Sequence, residues 1–388
     1  MKLTFSKDTK KAVSGLLTGM FLCTALTGCK WDSPEAKLEV SKQLPKPAHI
    51  SEAAEDGVQV ELDLDVPCKE LPWVYQCADL HITAEDVKKF LARNGESVQE
   101  VAFDGIQDDE QIYAVYTDKN SYVTNSDFLS AENCNFSYTA KINEDYGYAF
   151  IDYHSLEEDL SAAIPDNRHL YREPKAFAFG SCEEAHDKAL GYLEELGLSS
   201  LQTTETLYLD HEIMNAFAQS AEVQDWMKHY DRSDLIENGY DSAYDAYYFS
   251  FEFVKDGVPK MEHTVSSLTH GYSPDRISVI INADGLVFLE ADGLPFGERQ
   301  EQLQAIAMPE QILSAAKTYA AEVVWENTRI IDSCALRYID FSEEAGCFIR
   351  PVWVVGICFP GSAQDGTERS EDHHEYLVFD AASGTQIY

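Results

Sequence analysis

Residues 309–323 read Pro-Glu-Gln-Ile-Leu-Ser-Ala-Ala-Lys-Thr-Tyr-Ala-Ala-Glu-Val, and this stretch decides the fold that the sequence predicts. Proline is favoured in the first turn of a helix, where its missing N–H removes no hydrogen bond. Apolar side chains recur at helical spacing and form one face: Ile312, Ala316, Tyr319 and Val323. Strand-like segments follow at Ala335–Phe341, Phe348–Phe359 and Glu375–Phe379. The order predicts a helix that packs on an antiparallel sheet.

The same order of elements occurs twice more, towards the N-terminus. Ser181 and Glu184 form a capping box that opens a helix, and Gly197 ends it. Strands are predicted after this helix, at Thr203–Leu209, Tyr247–Val254, Arg276–Ile281 and Leu286–Leu289, with a helical insertion at His211–Tyr230. The turn Ala283-Asp284-Gly285 predicts that the last two strands form a hairpin. Earlier still, apolar residues alternate from Val58 to Val66, which predicts a half-buried strand. A strand at Trp73–Cys77 and a helix capped by Thr83 follow it.

These patterns predict the α+β class, with tandem helix-on-antiparallel-sheet units behind a leader and a tether. The predicted segments are a signal peptide at 1–28, a lipidated cysteine and flexible tether at 29–55, an N-terminal α+β unit at 56–175, a middle α+β unit with a helical insertion at 176–300, and a C-terminal α+β unit at 301–388. The tether is predicted because this stretch contains proline, alternating charge and little apolar periodicity.

The first residues of the chain have the organisation of a secretion signal. Four lysines precede an apolar run from Ala12 to Leu26, and Leu26-Thr27-Gly28-Cys29 ends it. The run is shorter than the roughly 20 apolar residues that span a bilayer, which argues against a retained transmembrane anchor. The segment resembles a bacterial lipoprotein signal peptide. This resemblance implies cleavage between Gly28 and Cys29, diacylglycerol (palmitate-type) attachment to Cys29, and a position on the extracytoplasmic face of the cell membrane.

The charge of the chain restricts its partners. The formal net charge is −39, and removal of the signal segment, which carries four Lys and one Asp, makes it −42. Such an acidic body repels phosphate backbones, so the sequence predicts no nucleic-acid partner. A calcium loop of the D-x-[DN]-x-[DN]-G type does not occur in the sequence. We therefore predict no cofactor.

Seven cysteines remain downstream of Cys29: Cys68, Cys77, Cys134, Cys182, Cys334, Cys347 and Cys358. Their number is odd, so at least one thiol must stay unpaired or pair between molecules. Because Cys68 and Cys77 are close in sequence and flank Pro72, they are the first candidates for a disulfide. The pairing among the seven is left open by the sequence.

Candidate chemical groups are few, and none makes a complete motif. His211-Glu212 begins like the zinc-protease motif H-E-x-x-H, but position 215 is Asn. In a strand, His373 and Glu375 would share one face and His374 the other, so at most two of these groups could converge on a metal. We predict no metal site and no catalytic residue, although His373-His374-Glu375 stays open as a metal candidate. The tyrosines clustered at 240–248 are predicted to be core residues.

Three weaker resemblances concern parts of the folded body. The run from Met308 to Tyr388, which closes with Asp380, Ala381 and Gly384, resembles a PepSY-type module. Val66-Pro67, Leu71-Pro72, the helix start at Thr83, Phe253–Val258 and Pro351-Val352-Trp353 together resemble a domain-of-unknown-function family of clostridial gut lipoproteins. That family implies no activity for any residue. The chain is also similar to extracellular regulators that accompany sensor kinases in Gram-positive bacteria.

Taken together, these features predict a non-enzymatic, membrane-anchored lipoprotein that binds or regulates an envelope protein or peptide. One alternative is the solute-binding lipoprotein of a transporter, although such proteins show parallel strand–helix alternation in two lobes. A second alternative is an envelope hydrolase, which would require His373 or a thiol to meet its partners in a cleft.

Overall fold

The computed structural model describes residues 40–78, 98–102, 111–117, 122–127, 134–139, 167–221, 223–224, 239–261, 277–325, 327–343, 346–361 and 373–387. The strands and helices in these ranges belong to one compact unit, Glu39–Tyr388. None of the helices described is long and apolar enough to cross a membrane.

Seven strands from widely separated parts of the chain form one sheet. Their bounds are β2 His49–Glu55, β3 Val58–Asp65, β4 Trp73–Cys77, β14 Phe296–Gln302, β16 Arg329–Glu343, β17 Gly346–Phe359 and β18 His373–Asp380. The spatial order is β14-β4-β17-β16-β3-β2, and β18 pairs with the far part of β17. All pairs are antiparallel except β3 with β16, where Val58 lies opposite Arg329. The sheet therefore joins the first described strands of the chain to the last.

The core of this sheet lies between its apolar face and helix α3, Pro309–Glu322. Strand β17 is buried along most of its length because both of its faces carry apolar side chains. Trp353 is fully buried, and its indole Nε1 donates a hydrogen bond of 3.1 Å to the carbonyl oxygen of Ala307. Four side chains of α3 enter the same core: Ile312, Leu313, Ala316 and Ala320. Each buried Ile or Leu stabilises this packing by roughly 1.5–3 kcal/mol.

Nine strands form a second sheet, built mostly from neighbours in sequence. Their bounds are β5 Val98–Ala102, β6 Gln111–Thr117, β7 Tyr122–Asp127, β8 Cys134–Thr139, β9 Leu201–Leu209, β10 Ala246–Lys255, β11 Val258–Pro259, β12 Ile277–Asn282 and β13 Gly285–Asp292. The order is β11-β10-β12-β13-β8-β7-β6-β5, with β9 also paired to β10. Every residue of β12 is buried, which explains why apolar side chains occupy both of its faces. Two short strands, β1 Val40–Ser41 and β15 Ile306–Ala307, form a separate ladder.

Two helices cover opposite faces of the nine-stranded sheet. Helix α1, Cys182–Glu195, begins with the predicted capping box: Ser181 Oγ accepts from the Glu184 N–H, and the Glu184 carboxylate accepts from the Ser181 N–H. Its buried side chains contact one face of β10, and helix α2, His211–Ala218, packs on the other. Successive side chains of β10 point to opposite faces of the sheet. Tyr247 packs in the core that contains α1, and Tyr248 packs in the core that contains α2.

Polar contacts join the two sheets at two places. Lys260, directly after β11, is fully buried, and its Nζ lies 3.1 Å from Asp340 Oδ1 in β16. The adjacent Met261 N–H donates to the Tyr338 carbonyl oxygen at 2.8 Å. At the turn between β10 and β11, the Asp256 carboxylate accepts from the Tyr75 hydroxyl and, at 2.9 Å, from Arg299. The two sheets are therefore connected by charge-assisted hydrogen bonds as well as by apolar packing.

A disulfide links Cys77 at the end of β4 to Cys347 at the start of β17, with their Cα atoms 5.4 Å apart. The strand register places Gln76 opposite Phe348, so the two cysteines lie next to each other across the antiparallel pair. The expectation that Cys68 pairs with Cys77 is wrong. Cys68 is instead a buried thiol in the core of the seven-stranded sheet, and the correct partner lies 270 residues along the chain.

The predicted α+β class is also wrong, because the described part of the chain is mainly β, with eighteen strands and three α-helices. The helix at 309–322, the capping box at Ser181 and the strands at 58–65 and 73–77 are confirmed. The error came from pairing each helix with the strands that follow it in sequence, whereas hydrogen bonding collects strands from distant segments. The predicted helix at Thr83 lies outside the described residues.

Candidate functional site

The end of the seven-stranded sheet brings together three side chains that can bind a metal: Asp332, Cys358 and His374. Cys358 in β17 lies directly opposite His374 in β18, so both side chains project from the same face. Asp332 lies in the neighbouring strand β16, and its Oδ2 is 3.5 Å from His374 Nδ1. One nitrogen, oxygen or sulfur ligand atom from each residue lies within 4.8 Å of the other two.

A β-bulge places Asp332 in this cluster. The register between β16 and β17 shifts between Ile331 and Ser333, which leaves Asp332 as the additional residue. The Ser333 Oγ accepts a hydrogen bond of 3.1 Å from the Gly356 N–H. A Cβ at Gly356 would lie 2.2 Å from Ser333 Oγ and 2.9 Å from Asp332 Oδ1. Only glycine at this position leaves room for the carboxylate and the hydroxyl above the strand.

The burial of the cluster is graded from the sheet towards solvent. Cys358 is 8% exposed, whereas the side chains of Asp332 and His374 are 34% and 40% exposed. Thiolate, imidazole and carboxylate are the usual protein ligands of zinc. The arrangement can therefore hold a metal ion against the sheet, with one side of the ion open to water.

The opposite face of the same strand end carries His373 and Glu375, separated by 3.5 Å between Nε2 and Oε1. The prediction that these two side chains share a face is confirmed, as is the opposite direction of His374. Tyr319 of α3 donates a hydrogen bond of 2.9 Å to Glu375 Oε2. Burial and the nearby carboxylate raise the pKa of Tyr319 to about 12, so the phenol keeps its proton at neutral pH.

A second group of ligand-type residues, Asp210, His211 and Asp245, lies at the start of α2. The Lys175 ammonium already neutralises the buried Asp210 carboxylate, and Asp210 Oδ1 also caps α2 through the Glu212 N–H. Asp245 Oδ1 accepts from both the His211 N–H and, at 2.7 Å, its ring Nδ1. This group functions as a helix cap with its own cation.

Position 215, where a zinc protease would have its second histidine, has a structural role. The Asn215 side chain donates to the Tyr240 carbonyl oxygen at 2.7 Å and accepts from the Tyr240 N–H at 2.8 Å. These two bonds hold the chain beside α2, which agrees with the rejection of the protease motif on sequence grounds.

Comparisons with known proteins give the fold of the chain and no activity. No family model and no curated protein matches the sequence. Among solved structures, an uncharacterized protein from Eubacterium rectale ATCC 33656, determined as a crystal structure at 1.45 Å resolution, matches with a TM-score of 0.54 and 17% sequence identity. The match covers 91% of this chain and 96% of that one. At this identity the similarity concerns the fold alone.

The remaining predicted groups divide between the core and undescribed parts of the chain. Gly28, Cys29 and Cys134 lie where no side chain is described. Burial raises the pKa of Cys68 to about 11 and that of Cys334 to about 12, which makes both thiols poor nucleophiles at neutral pH. The tyrosines at 240, 247 and 248 are buried, so their prediction as core residues is confirmed.

Sequence inspection missed Asp332 and Cys358 because their proximity depends on the bulge at Asp332 and on the register of β17 with β18, which no local pattern indicates. The available signal was limited to Gly356-x-Cys358 within an otherwise apolar strand. An isolated Gly in a strand often marks a bulge or a close approach, and Gly356 faces the bulge in β16, where the Ser333 and Asp332 side chains occupy the space of a Cβ.

Proposed function

We propose that the protein is a lipoprotein held on the extracytoplasmic face of the cell membrane by diacylglycerol on Cys29, and that it acts as a non-enzymatic binding module for an envelope protein or peptide. The cysteine follows a complete lipoprotein signal pattern, and 359 residues follow it in the sequence. The anchor would bring this large acidic body close to partners in the same membrane.

The observation that carries the proposal is the buried disulfide between Cys77 and Cys347. Disulfides persist in oxidising compartments outside the cytoplasm and are rare inside it. This bond is independent of the signal sequence, because it depends on strand pairing far from the N-terminus. Both features therefore favour the same side of the membrane.

The free edge of the seven-stranded sheet supports the binding part of the proposal. Strand β2 is the last strand on its side among the residues that the structure describes. Six of its seven residues are exposed, and it occupies the end of the segment 29–55 that the sequence predicted as a flexible tether. An exposed edge can accept an additional strand from a partner, with backbone hydrogen bonds supplying affinity. Glu52 of this strand is paired with Lys317, and the remaining acidic side chain, Glu55, favours a partner strand with a basic residue.

The two alternatives receive less support. A solute-binding lipoprotein would have parallel strands with crossover helices, whereas the strand pairs described here are antiparallel apart from β3 with β16. A cysteine hydrolase would require an accessible thiol, whereas Cys358, the thiol beside a histidine and an aspartate, is 8% exposed.

The test is crosslinking in intact cells followed by affinity purification of the full chain. Cys29→Ala removes the predicted lipid attachment, and Cys23→Ala is the matched control because this cysteine lies within the signal segment. We expect the wild type and Cys23→Ala to fractionate with membranes and capture the same envelope protein, and Cys29→Ala to lose both. Membrane association that survives Cys29→Ala would refute the anchor. An unaltered set of captured proteins in all three strains would refute the partner.

A further inference from the structure

We propose that Asp332, Cys358 and His374 bind a zinc ion, or another divalent ion that prefers thiolate and imidazole ligands. The site goes beyond the proposed binding function, because it requires neither the anchor nor a partner. Its three ligands come from three adjacent strands, so it would act on the sheet as a clamp across β16, β17 and β18.

The distances fit a metal ion with little rearrangement. In tetrahedral zinc, bonds of about 2.0–2.3 Å separate neighbouring ligand atoms by roughly 3.3–3.7 Å. The separation between His374 Nδ1 and Asp332 Oδ2 is already 3.5 Å. All three ligand atoms lie within 4.8 Å of one another. A movement of about 1 Å by the two half-exposed side chains therefore completes the triangle.

The backbone supports the same arrangement. Strand pairing fixes Cys358 opposite His374, and the bulge at Asp332 turns its side chain towards them. Gly356 leaves the space above β17 that the Asp332 carboxylate and the Ser333 hydroxyl occupy. Three protein ligands and a solvent-facing side correspond to a zinc site in which water or a partner group provides the fourth ligand.

The contrast with Asp210, His211 and Asp245 explains why only one group is assigned to a metal. Lys175 supplies the positive charge to that group, and the capping of α2 occupies a carboxylate oxygen. A metal there would have to displace an ammonium and a helix cap. At Asp332, by contrast, the contact is a 3.5 Å approach to a histidine, which the metal would replace with two coordinate bonds.

A Cys–His–Asp nucleophile would use the same residue types, and the geometry favours the metal. The thiol is largely buried against the sheet, where substrate access is limited. The Gly356 N–H, a backbone donor two residues from the thiol, is already donated to Ser333 Oγ and not directed at a reacting oxygen.

The experiment is a zinc titration of the full chain, purified in detergent with its disulfide intact and stripped of metal by a chelator. We expect one equivalent to bind, and cobalt as a spectroscopic probe to give a thiolate charge-transfer band. Cys358→Ser should abolish that band. Each of Cys358→Ser, His374→Gln and Asp332→Asn should weaken zinc binding by 10-fold or more, and each tenfold loss of affinity corresponds to about 1.4 kcal/mol of binding free energy. His373→Gln and Cys182→Ser are the matched controls, since one alters the opposite face and the other a thiol in α1.

The cobalt spectrum and the zinc affinities decide whether the proposed site binds metal. If the wild type shows no cobalt–thiolate band, or if the three variants bind zinc as the two controls do, the proposal is overturned. Should Cys358→Ser fail to fold, the half-exposed Asp332→Asn and His374→Gln variants decide the question through zinc affinity and through the zinc-dependent rise of the melting temperature. Failure of the membrane capture experiment would leave this result unaffected, because the two tests use different residues.

Discussion

The two sheets of this protein differ in the share of their strand pairs that join distant parts of the chain. The nine-stranded sheet contains neighbours in sequence, such as β12 and β13, which a two-residue turn joins. The seven-stranded sheet pairs Val58 with Arg329 and crosslinks Cys77 to Cys347. Local hairpins form with little loss of chain entropy, whereas distant strands require closure of long loops before their contacts form.

The stabilising crosslink and the proposed metal ligands both lie in one of the two sheets. The sheet with distant pairings contains the disulfide, the fully buried Trp353 and the proposed metal ligands. The disulfide joins distant segments, whereas the proposed metal ligands come from the consecutive strands β16, β17 and β18 and meet through their register. We therefore expect the seven-stranded sheet to be more sensitive to removal of single contacts than the nine-stranded sheet.

The largest effect is expected where the two sheets meet. Lys260→Met leaves the Asp340 carboxylate largely buried without its cation, which should lower the free energy of unfolding by about 3–5 kcal/mol. The double variant Lys260→Met/Asp340→Leu should lose less, because no unpaired charge remains. Chemical denaturation measures both. Lys317→Met, which removes a half-exposed pair with Glu52, is the matched control and should change stability by less than about 1 kcal/mol. Equal losses in both single variants would refute the account.

Removal of the disulfide should have the next largest effect. The double variant Cys77→Ala/Cys347→Ala frees a loop of 270 residues and should lower stability by about 2–5 kcal/mol. Hydrogen exchange should show a greater loss of protection in β4 and β17 than in β12 and β13. A uniform loss across both sheets would contradict the distinction between them.

Two glycines provide a sharper test, because alanine should have opposite effects at the two positions. Gly356→Ala places a Cβ against Ser333 and Asp332, and should destabilise the protein by about 1–3 kcal/mol. Gly191 in α1 has open space around it, so Gly191→Ala should stabilise by about 0.5–1 kcal/mol through the higher helix propensity of alanine. Thermal unfolding of the two variants gives both signs. Stabilisation by Gly356→Ala would show that the close approach over β17 is absent.

The smallest effect is expected at the Tyr75–Asp256 contact between the sheets. Burial, followed by the hydrogen bond to Asp256, raises the pKa of Tyr75 from 10.0 to about 12. The folded state thus favours the protonated phenol, and this contribution is complete below pH 10 and is lost as the pH rises to about 12. Tyr75→Phe should cost about 0.5–1.5 kcal/mol at neutral pH and weaken the pH dependence in that window. An identical alkaline profile in the variant would remove Tyr75 as its source.

Local sequence patterns predicted strands of both sheets, but they predicted a strand pairing only in the nine-stranded sheet. The alternation at 58–66 gave β3, and the turn at Ala283-Asp284-Gly285 gave the β12–β13 hairpin with its pairing. Nothing near Val58 indicates that its neighbour is Arg329, because strand pairing over that distance depends on the packing of the whole core. For this reason the fold class was predicted incorrectly although most of the predicted helices and strands in the described ranges are present.

The candidate site, too, was predicted from the sequence only in part. The directions of His373, His374 and Glu375 follow from the two-residue period of a strand, and the structure confirms them. Asp332 joins His374 only through a bulge, and Cys358 joins it only through the pairing of β17 with β18. Because the three proposed ligands come from three strands, their proximity can be recognised only when the register of those strands is known.

The most direct test of the account is a disulfide map of the protein taken from intact cells after its thiols have been blocked. We predict a crosslinked peptide pair containing Cys77 and Cys347, and buried thiols at Cys68 and Cys334 that react only after unfolding. This result would support both the distant strand pairing and an oxidising location. Recovery of Cys77 as a blocked thiol would contradict the oxidising location, and its recovery joined to Cys68 would contradict the distant strand pairing.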